Sequence, residues 1–82
     1  MPKADKSEVQ REFATLEQSI SVFRFKGKQF LSPPLETALQ QAQALIEAGT
    51  YDHADHTIRV ATAIYQRDKI KFLADKKGWL RN

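Results

Sequence analysis

The sequence predicts a mainly α-helical chain with one short β-strand, and three observations support this. Apolar residues recur at steps of three and four in three separate segments, which is the spacing of one face of an α-helix. Between the first two of these segments, residues 22–31 alternate apolar and basic side chains with period two, which indicates a strand. Ser32-Pro33-Pro34 and Gly49 then interrupt the chain, because proline favours helix entrances and glycine favours helix ends.

The first helix is predicted over residues 7–20, after a flexible tail at residues 1–6. Ser7-Glu8-Val9-Gln10 has the form of a capping box, in which Ser7 is the N-cap and Gln10 reaches back to it. The apolar stripe of this helix consists of Val9, Phe13, Leu16 and Ile20.

Two further helices are predicted after the proline pair. The second spans about residues 34–48 and ends at Gly49, which can adopt the left-handed conformation that closes helices. The third begins at the N-cap Asp52 and continues to about Lys77, where Gly78 offers another left-handed end before a tail at residues 78–82. Their apolar stripes are Leu35, Leu39, Ala42 and Ile46, and then Ala54, Ile58, Ala61, Tyr65 and Phe72.

Size and composition limit the classes of protein. A chain of 82 residues forms one domain with a marginal core, so pairing with a second copy is an expected source of stability. There is no cysteine, which excludes disulfides and fits a reducing compartment. No apolar run approaches the roughly 18 residues of a membrane span, and no signal-peptide pattern is present. The sequence therefore predicts a soluble, cytoplasmic protein with no membrane partner.

The net charge of +3 is modest, but its distribution is uneven. Formal charges sum to −1 over residues 1–20, +3 over 21–31, −4 over 32–58 and +5 over 59–82. Two basic segments thus flank an acidic middle, and basic segments favour anionic partners such as nucleic acid.

Residues 22–31 allow two interpretations. In one continuous strand, Arg24, Lys26 and Lys28 share one face, while Phe23, Phe25 and Leu31 share the other. Alternatively, Phe25-Lys26-Gly27-Lys28 forms a tight hairpin turn, which would place Arg24 opposite Gln29 and Phe23 opposite Phe30. Lys-Gly is a weaker two-residue turn signal than Asn-Gly, so the continuous strand is slightly favoured over the hairpin.

Two segments resemble a known family. Residues 46–61, with a helix end, Gly49-Thr50-Tyr51, a capped turn and Ile58-Arg59, are similar to the turn between the helices of ribbon-helix-helix proteins. Leu31-Ser32-Pro33-Pro34-Leu35-Glu36 resembles the exit from their strand. The likeness to Arc and MetJ repressors and to plasmid antitoxins covers roughly residues 22–68, within a ribbon-helix-helix-like unit at 22–77 that follows the extra N-terminal helix.

The resemblance implies an intertwined homodimer whose paired strands form a ribbon in the DNA major groove. Arg24, Lys26 and Lys28 would then contact bases, and backbone amides near Thr50, Tyr51 and His53 would anchor a phosphate. This predicts a repressor-like transcription regulator that binds double-stranded DNA without a cofactor. If Arg24, Lys26 and Lys28 do not bind DNA, the basic segment from Lys69 to Arg81 is the next candidate for DNA binding.

Other chemistries have weaker support. Asp52-His53-Ala54-Asp55-His56 places two imidazoles three residues apart, but no distant third ligand is evident, so no metal site is predicted. No nucleophile elbow, phosphate loop or cysteine nucleophile is present, and no catalytic residue or enzyme activity is predicted. The alternative function is a small helical protein-interaction module or antitoxin with no direct nucleic-acid role, which would bind a protein partner through its C-terminal helix.

Overall fold

The computed structural model describes residues 4–22, 24–25, 28–29 and 31–80, and it describes side chains over residues 4–22 and 31–74. Three helices, α1 (Lys6–Val22), α2 (Pro33–Glu47) and α3 (Tyr51–Leu80), account for most of this chain, so the prediction of a mainly α fold is confirmed. The helices α2 and α3 pack as an antiparallel pair, and α1 packs mainly against α3. No helix in the described part of the chain is both long and apolar enough to cross a membrane.

The core lies where the three predicted apolar stripes meet. All three helices contribute fully or nearly fully buried side chains, and α3 contributes the most. Phe13, Leu39 and Ile46 are half-buried at its margin. The buried apolar residues are Val9, Leu16, Ile20, Leu35, Ala38, Ala42, Ala54, Ile58, Ala61 and Tyr65.

The prediction of one continuous strand over residues 22–31 is wrong. Arg24–Phe25 (β1) and Lys28–Gln29 (β2) instead pair antiparallel within the same chain, with Arg24 opposite Gln29 and Phe25 opposite Lys28. This is the register of the hairpin interpretation, although Phe23 and Phe30 lie outside the described residues. A ribbon-helix-helix fold needs one continuous strand to pair with a second copy, so the prediction of this fold is wrong.

Contacts at both ends of the hairpin explain why the chain reverses there. At the end of α1, the carbonyl oxygen of Ser19 accepts a hydrogen bond from the Tyr65 hydroxyl at 3.2 Å. At the start of α2, the Ser32 hydroxyl donates to Asp68 Oδ2 at 2.5 Å. Tyr65 and Asp68 are less than one helical turn apart on α3. Ser19 and Ser32, on the two sides of the hairpin, are therefore held beside nearly the same part of α3.

The left-handed helix end predicted at Gly49 is confirmed, with φ of 80°. The amide of Gly49 donates to the Ile46 carbonyl at 3.1 Å, and the amide of Thr50 donates to the Leu45 carbonyl at 2.9 Å. These two bonds form a Schellman motif, which satisfies carbonyl groups that the end of α2 would otherwise leave unpaired. The turn between α2 and α3 is therefore determined by local residues.

The other helix ends differ from prediction. The cap of α1 is Asp5 rather than Ser7, because Asp5 Oδ1 accepts a hydrogen bond from the Glu8 amide at 2.8 Å. Asp52 is not the N-cap of α3 but lies inside its first turn, where Oδ1 accepts from the Ala4 amide at 3.0 Å. The left-handed end predicted at Gly78 is also wrong, since α3 continues through this residue to Leu80.

Candidate nucleic-acid interface

The end of α1 and the start of α2, which the hairpin connects, both contact residues 65–69 of α3. Ser19 and Val22 form a shallow groove with Tyr65 and Lys69, and Ser32 bonds Asp68 beside it. We call the described residues within 22–32 and 65–80 the basic end. At the opposite end, the turn at Gly49 and the bond from Ala4 to Asp52 bring together residues 4–8 and 47–56, which we call the acidic end.

The two ends carry opposite formal charge. The described residues of the basic end include seven basic and two acidic residues, a formal +5, the basic ones being Arg24, Lys28, Arg67, Lys69, Lys71, Lys76 and Lys77. The acidic end holds five acidic residues and one basic residue, a formal −4, the acidic ones being Asp5, Glu8, Glu47, Asp52 and Asp55. The fold thus places the basic and acidic segments of the sequence at opposite ends of the molecule.

Side chains of α3 give the basic end its exposed charge. The Arg67 side chain is 75% exposed, and its Nε lies 4.0 Å from Asp68 Oδ1. Lys71, one turn further along the same face, is also exposed. Lys69 instead lies over the ring of Tyr65, with Nζ 5.8 Å from the ring centroid in cation–π geometry. Within residues 65–74 of α3, Arg67 and Lys71 are therefore the exposed cations, while the Asp68 carboxylate is held toward Ser32.

The hairpin does not present its cations on one face as predicted. Directly opposite residues of an antiparallel pair share a face, so the register assigns Arg24 and Lys28 to opposite faces of the hairpin. Lys26 lies outside the described residues. Only the continuous strand would have aligned these residues, and the chain reversal prevents that alignment.

Thr50, Tyr51 and His53, the predicted phosphate-anchoring group, lie at the acidic end. Tyr51 is about 25 Å from Asp68, given a rise of about 1.5 Å per residue along α3. The Thr50 amide already donates to Leu45, and the carboxylate of Asp52 lies beside the same helix start. The two predicted groups therefore do not form one surface.

A third feature lies in the groove between α1 and α3. This cavity of about 500 Å³ is lined by both helices, including Glu12, Arg59 and Tyr65. A hydrogen bond with Asp55, together with burial, raises the pKa of Glu12 to about 7. The same hydrogen bond and the Arg59 guanidinium lower the pKa of Asp55. This pair could not be predicted from the sequence, because its members are distant in the chain and no motif links them.

The histidines of the acidic end do not assemble a ligand set. His53 and His56 are exposed on the first turns of α3. Over residues 4–22 and 31–80, no group of three or more His, Asp or Glu residues is placed to hold a metal ion.

Comparison with protein-family models, with curated proteins and with solved structures finds no match to this chain. A functional proposal therefore depends on the residues and geometry of the chain itself.

Proposed function

We propose that this protein is a small helical module that binds double-stranded DNA through its basic end. The observation that carries the proposal is the uneven distribution of charge, with a formal +5 at the basic end, where Arg67 and Lys71 are exposed, and a formal −4 at the acidic end. Lysine and arginine contacts to phosphates supply most sequence-independent affinity for DNA. A duplex approaching the basic end would also be kept from the acidic end by repulsion.

This mode of binding differs from a ribbon in the major groove. Arg67 and Lys71 lie about 6 Å apart along α3, and both can contact the sugar-phosphate backbone without entering a groove. Contacts of this kind position a protein but do not read bases. Regulation of transcription would then result from occupying a site, with sequence preference supplied by DNA shape or by the hairpin.

The test is the salt dependence of affinity for a duplex of about 20 base pairs. Each phosphate contact contributes about −0.9 to the slope of log K against log salt concentration. The double variant Arg67→Gln/Lys71→Gln should therefore bind more weakly and lose about 2 from the magnitude of the slope. Lys6→Gln removes an exposed cation from the acidic end and serves as the matched control, which should leave the slope unchanged.

Two results would contradict the proposal. One is the absence of duplex binding at low salt by the folded wild-type chain. The other is an unchanged slope in the Arg67→Gln/Lys71→Gln variant. If the double variant binds normally while Arg24→Gln/Lys28→Gln does not, the hairpin and not α3 provides the phosphate contacts.

A second candidate function, a protein-interaction module, is favoured by exposed apolar residues on α3. Ile70 is 70% exposed and Leu73 is 38% exposed, and both lie in the part of α3 beyond the end of α1. Large apolar side chains at this exposure commonly contact a partner helix, which could belong to a second copy. Ile70→Ser/Leu73→Ser should abolish self-association in sedimentation equilibrium if a second copy binds there. Unchanged DNA binding in the same variant would separate the two functions.

A further inference from the structure

The contact between α1 and α3 contains two carboxyl groups that face each other. Glu12 lies on α1 and Asp55 on α3, and the two side chains are in hydrogen-bond contact. Glu12 Oε1 is buried, yet it receives no hydrogen bond from an N–H or O–H donor of the described residues. Asp55 Oδ2 is already engaged by Arg59 Nε at 3.1 Å.

Two carboxylates cannot hydrogen bond each other unless one of them carries a proton. Both groups accept when ionised, and ionised neighbours repel each other. A proton on Glu12 converts it into a donor to Asp55, whose negative charge is stabilised by Arg59. Between about pH 5 and 6.5, the docked position of α1 therefore contains one proton that the separated helix would release.

We infer that docking of α1 onto α3 is coupled to one proton held between the carboxyl groups of Glu12 and Asp55, so that α1 loosens when this proton is released. This device is independent of the proposed DNA binding. It joins the middle of α1 to α3, next to the buried Leu16 and Ile58 that line the same groove.

The direction of the pH effect follows from the two carboxyl groups. The pKa of Glu12 rises from an ordinary 4.5 to about 7 on docking. The stabilisation of docked α1 by Glu12 is therefore complete below pH 4.5 and is lost as the pH rises to 7. The lowered pKa of Asp55 acts in the opposite sense: its contribution is present above an ordinary 3.8 and is lost only as the pH falls below that value. Between about pH 5 and 7, Glu12 is therefore the group of the pair whose protonation changes.

Other charged groups face the pair from both helices. Glu8 on α1 raises the pKa of Glu12, and Arg59 on α3 lowers it. His56 on α3 lowers the pKa of Asp55, and Arg11 lines the same groove. Because histidine can gain charge in this pH range, the experiment includes a variant that removes the imidazole.

Amide hydrogen exchange of the full chain, measured by NMR from pH 5 to 7.5 and corrected for intrinsic rates, tests the inference. The opening constant of α1 relative to α2 should rise by up to about tenfold per pH unit between pH 5 and 6.5 and level off above 7. Glu12→Gln keeps a hydrogen-bond donor toward Asp55 and should abolish this dependence. Glu17→Gln, an exposed change on the same helix, and His56→Asn should each retain it.

A flat opening constant for wild-type α1 over this range, or a Glu12→Gln variant that keeps the full pH dependence, would overturn the inference. A His56→Asn variant that loses the dependence would assign it to the imidazole and would also overturn it. The carboxyl carbon of Glu12 gives a second measurement that needs no variant. Its chemical shift should titrate with a midpoint near 7 in the folded chain, and a midpoint below 5 would refute the shared proton.

Discussion

The acidic and basic ends of the helical bundle differ in what their charged residues do. At the acidic end, three carboxylates have partners within the chain: Asp5 caps α1, Asp52 accepts a hydrogen bond from the Ala4 amide, and Asp55 binds Arg59. At the basic end, Asp68 bonds Ser32 and Lys69 lies over the Tyr65 ring, while Arg67 and Lys71 lie exposed on the surface. The fold thus accounts for the acidic residues but not for the exposed basic ones.

Helix dipoles reinforce this distinction. Acidic residues in the first turns of α1 and α3 are stabilised by the partial positive charge of those helix ends. Arg67 and Lys71 lie more than two turns before Leu80, where the dipole effect has faded. Their exposure at the same end as the hairpin is the reason to look for an anionic partner there.

The largest expected effect tests how tightly the start of α2, next to the basic end, is packed. Leu35 is fully buried at the start of α2, so Leu35→Ala should lower the free energy of unfolding by about 3 kcal/mol through lost burial and a residual cavity. Leu31, four residues earlier, is 37% exposed, and Leu31→Ala should cost less than about 1 kcal/mol. Urea unfolding followed by circular dichroism measures both. Equal losses of stability would show that the two leucines are packed alike and would contradict the difference in burial between Leu35 and Leu31.

A smaller effect compares the glycines of the two ends. Gly49→Ala should destabilise the chain by about 1 kcal/mol, because φ of 80° strains any residue with a Cβ. Steric contact adds nothing, since no atom lies within 4 Å of the added Cβ. Gly78→Ala should instead stabilise by a few tenths of a kcal/mol, because alanine favours the helical conformation of that residue. The same sign for both substitutions in urea unfolding would contradict the assigned helix ends.

The turn at the acidic end could be predicted from the sequence, whereas the hairpin at the basic end could not be distinguished from a strand. The Gly49 turn and the apolar stripes of α2 and α3 could be predicted because the signals lie within a few residues of each other. At the basic end, an alternating segment is equally compatible with a strand and with a hairpin. The choice is made by Tyr65 and Asp68, which bond Ser19 and Ser32 from more than 30 positions away.

Two errors at the acidic end have related causes. Asp5-Lys6-Ser7-Glu8 and Ser7-Glu8-Val9-Gln10 both have the form of a capping box, so the sequence alone does not select the cap of α1. Asp52 is a good cap residue, but the helix begins one residue earlier and its carboxylate binds the chain before α1. The Glu12–Asp55 pair could not be predicted because it requires the packing angle of α1 on α3.

An effect similar in size to that of Gly49→Ala concerns the hydrogen bond that holds the end of α1 at the basic end. Tyr65→Phe removes the donor to the Ser19 carbonyl and should lower the free energy of unfolding by about 1 kcal/mol near neutral pH. Burial raises the pKa of Tyr65 above its ordinary 10.0, so the neutral phenol favours the folded state. Its contribution is complete below pH 10 and is lost as the pH rises through the raised pKa.

Urea unfolding at pH 8 and pH 11 measures this contribution as a difference between variants. The wild-type chain should lose more stability between the two values than Tyr65→Phe, which has no phenol to ionise. Tyr51→Phe, at the acidic end, is the matched control and should retain the Tyr65-dependent part of the loss. If Tyr65→Phe and the wild type lose equal stability, the phenol is not held in the buried contact that joins α1 to α3. The hairpin would then lack one of the two anchors that explain its reversal.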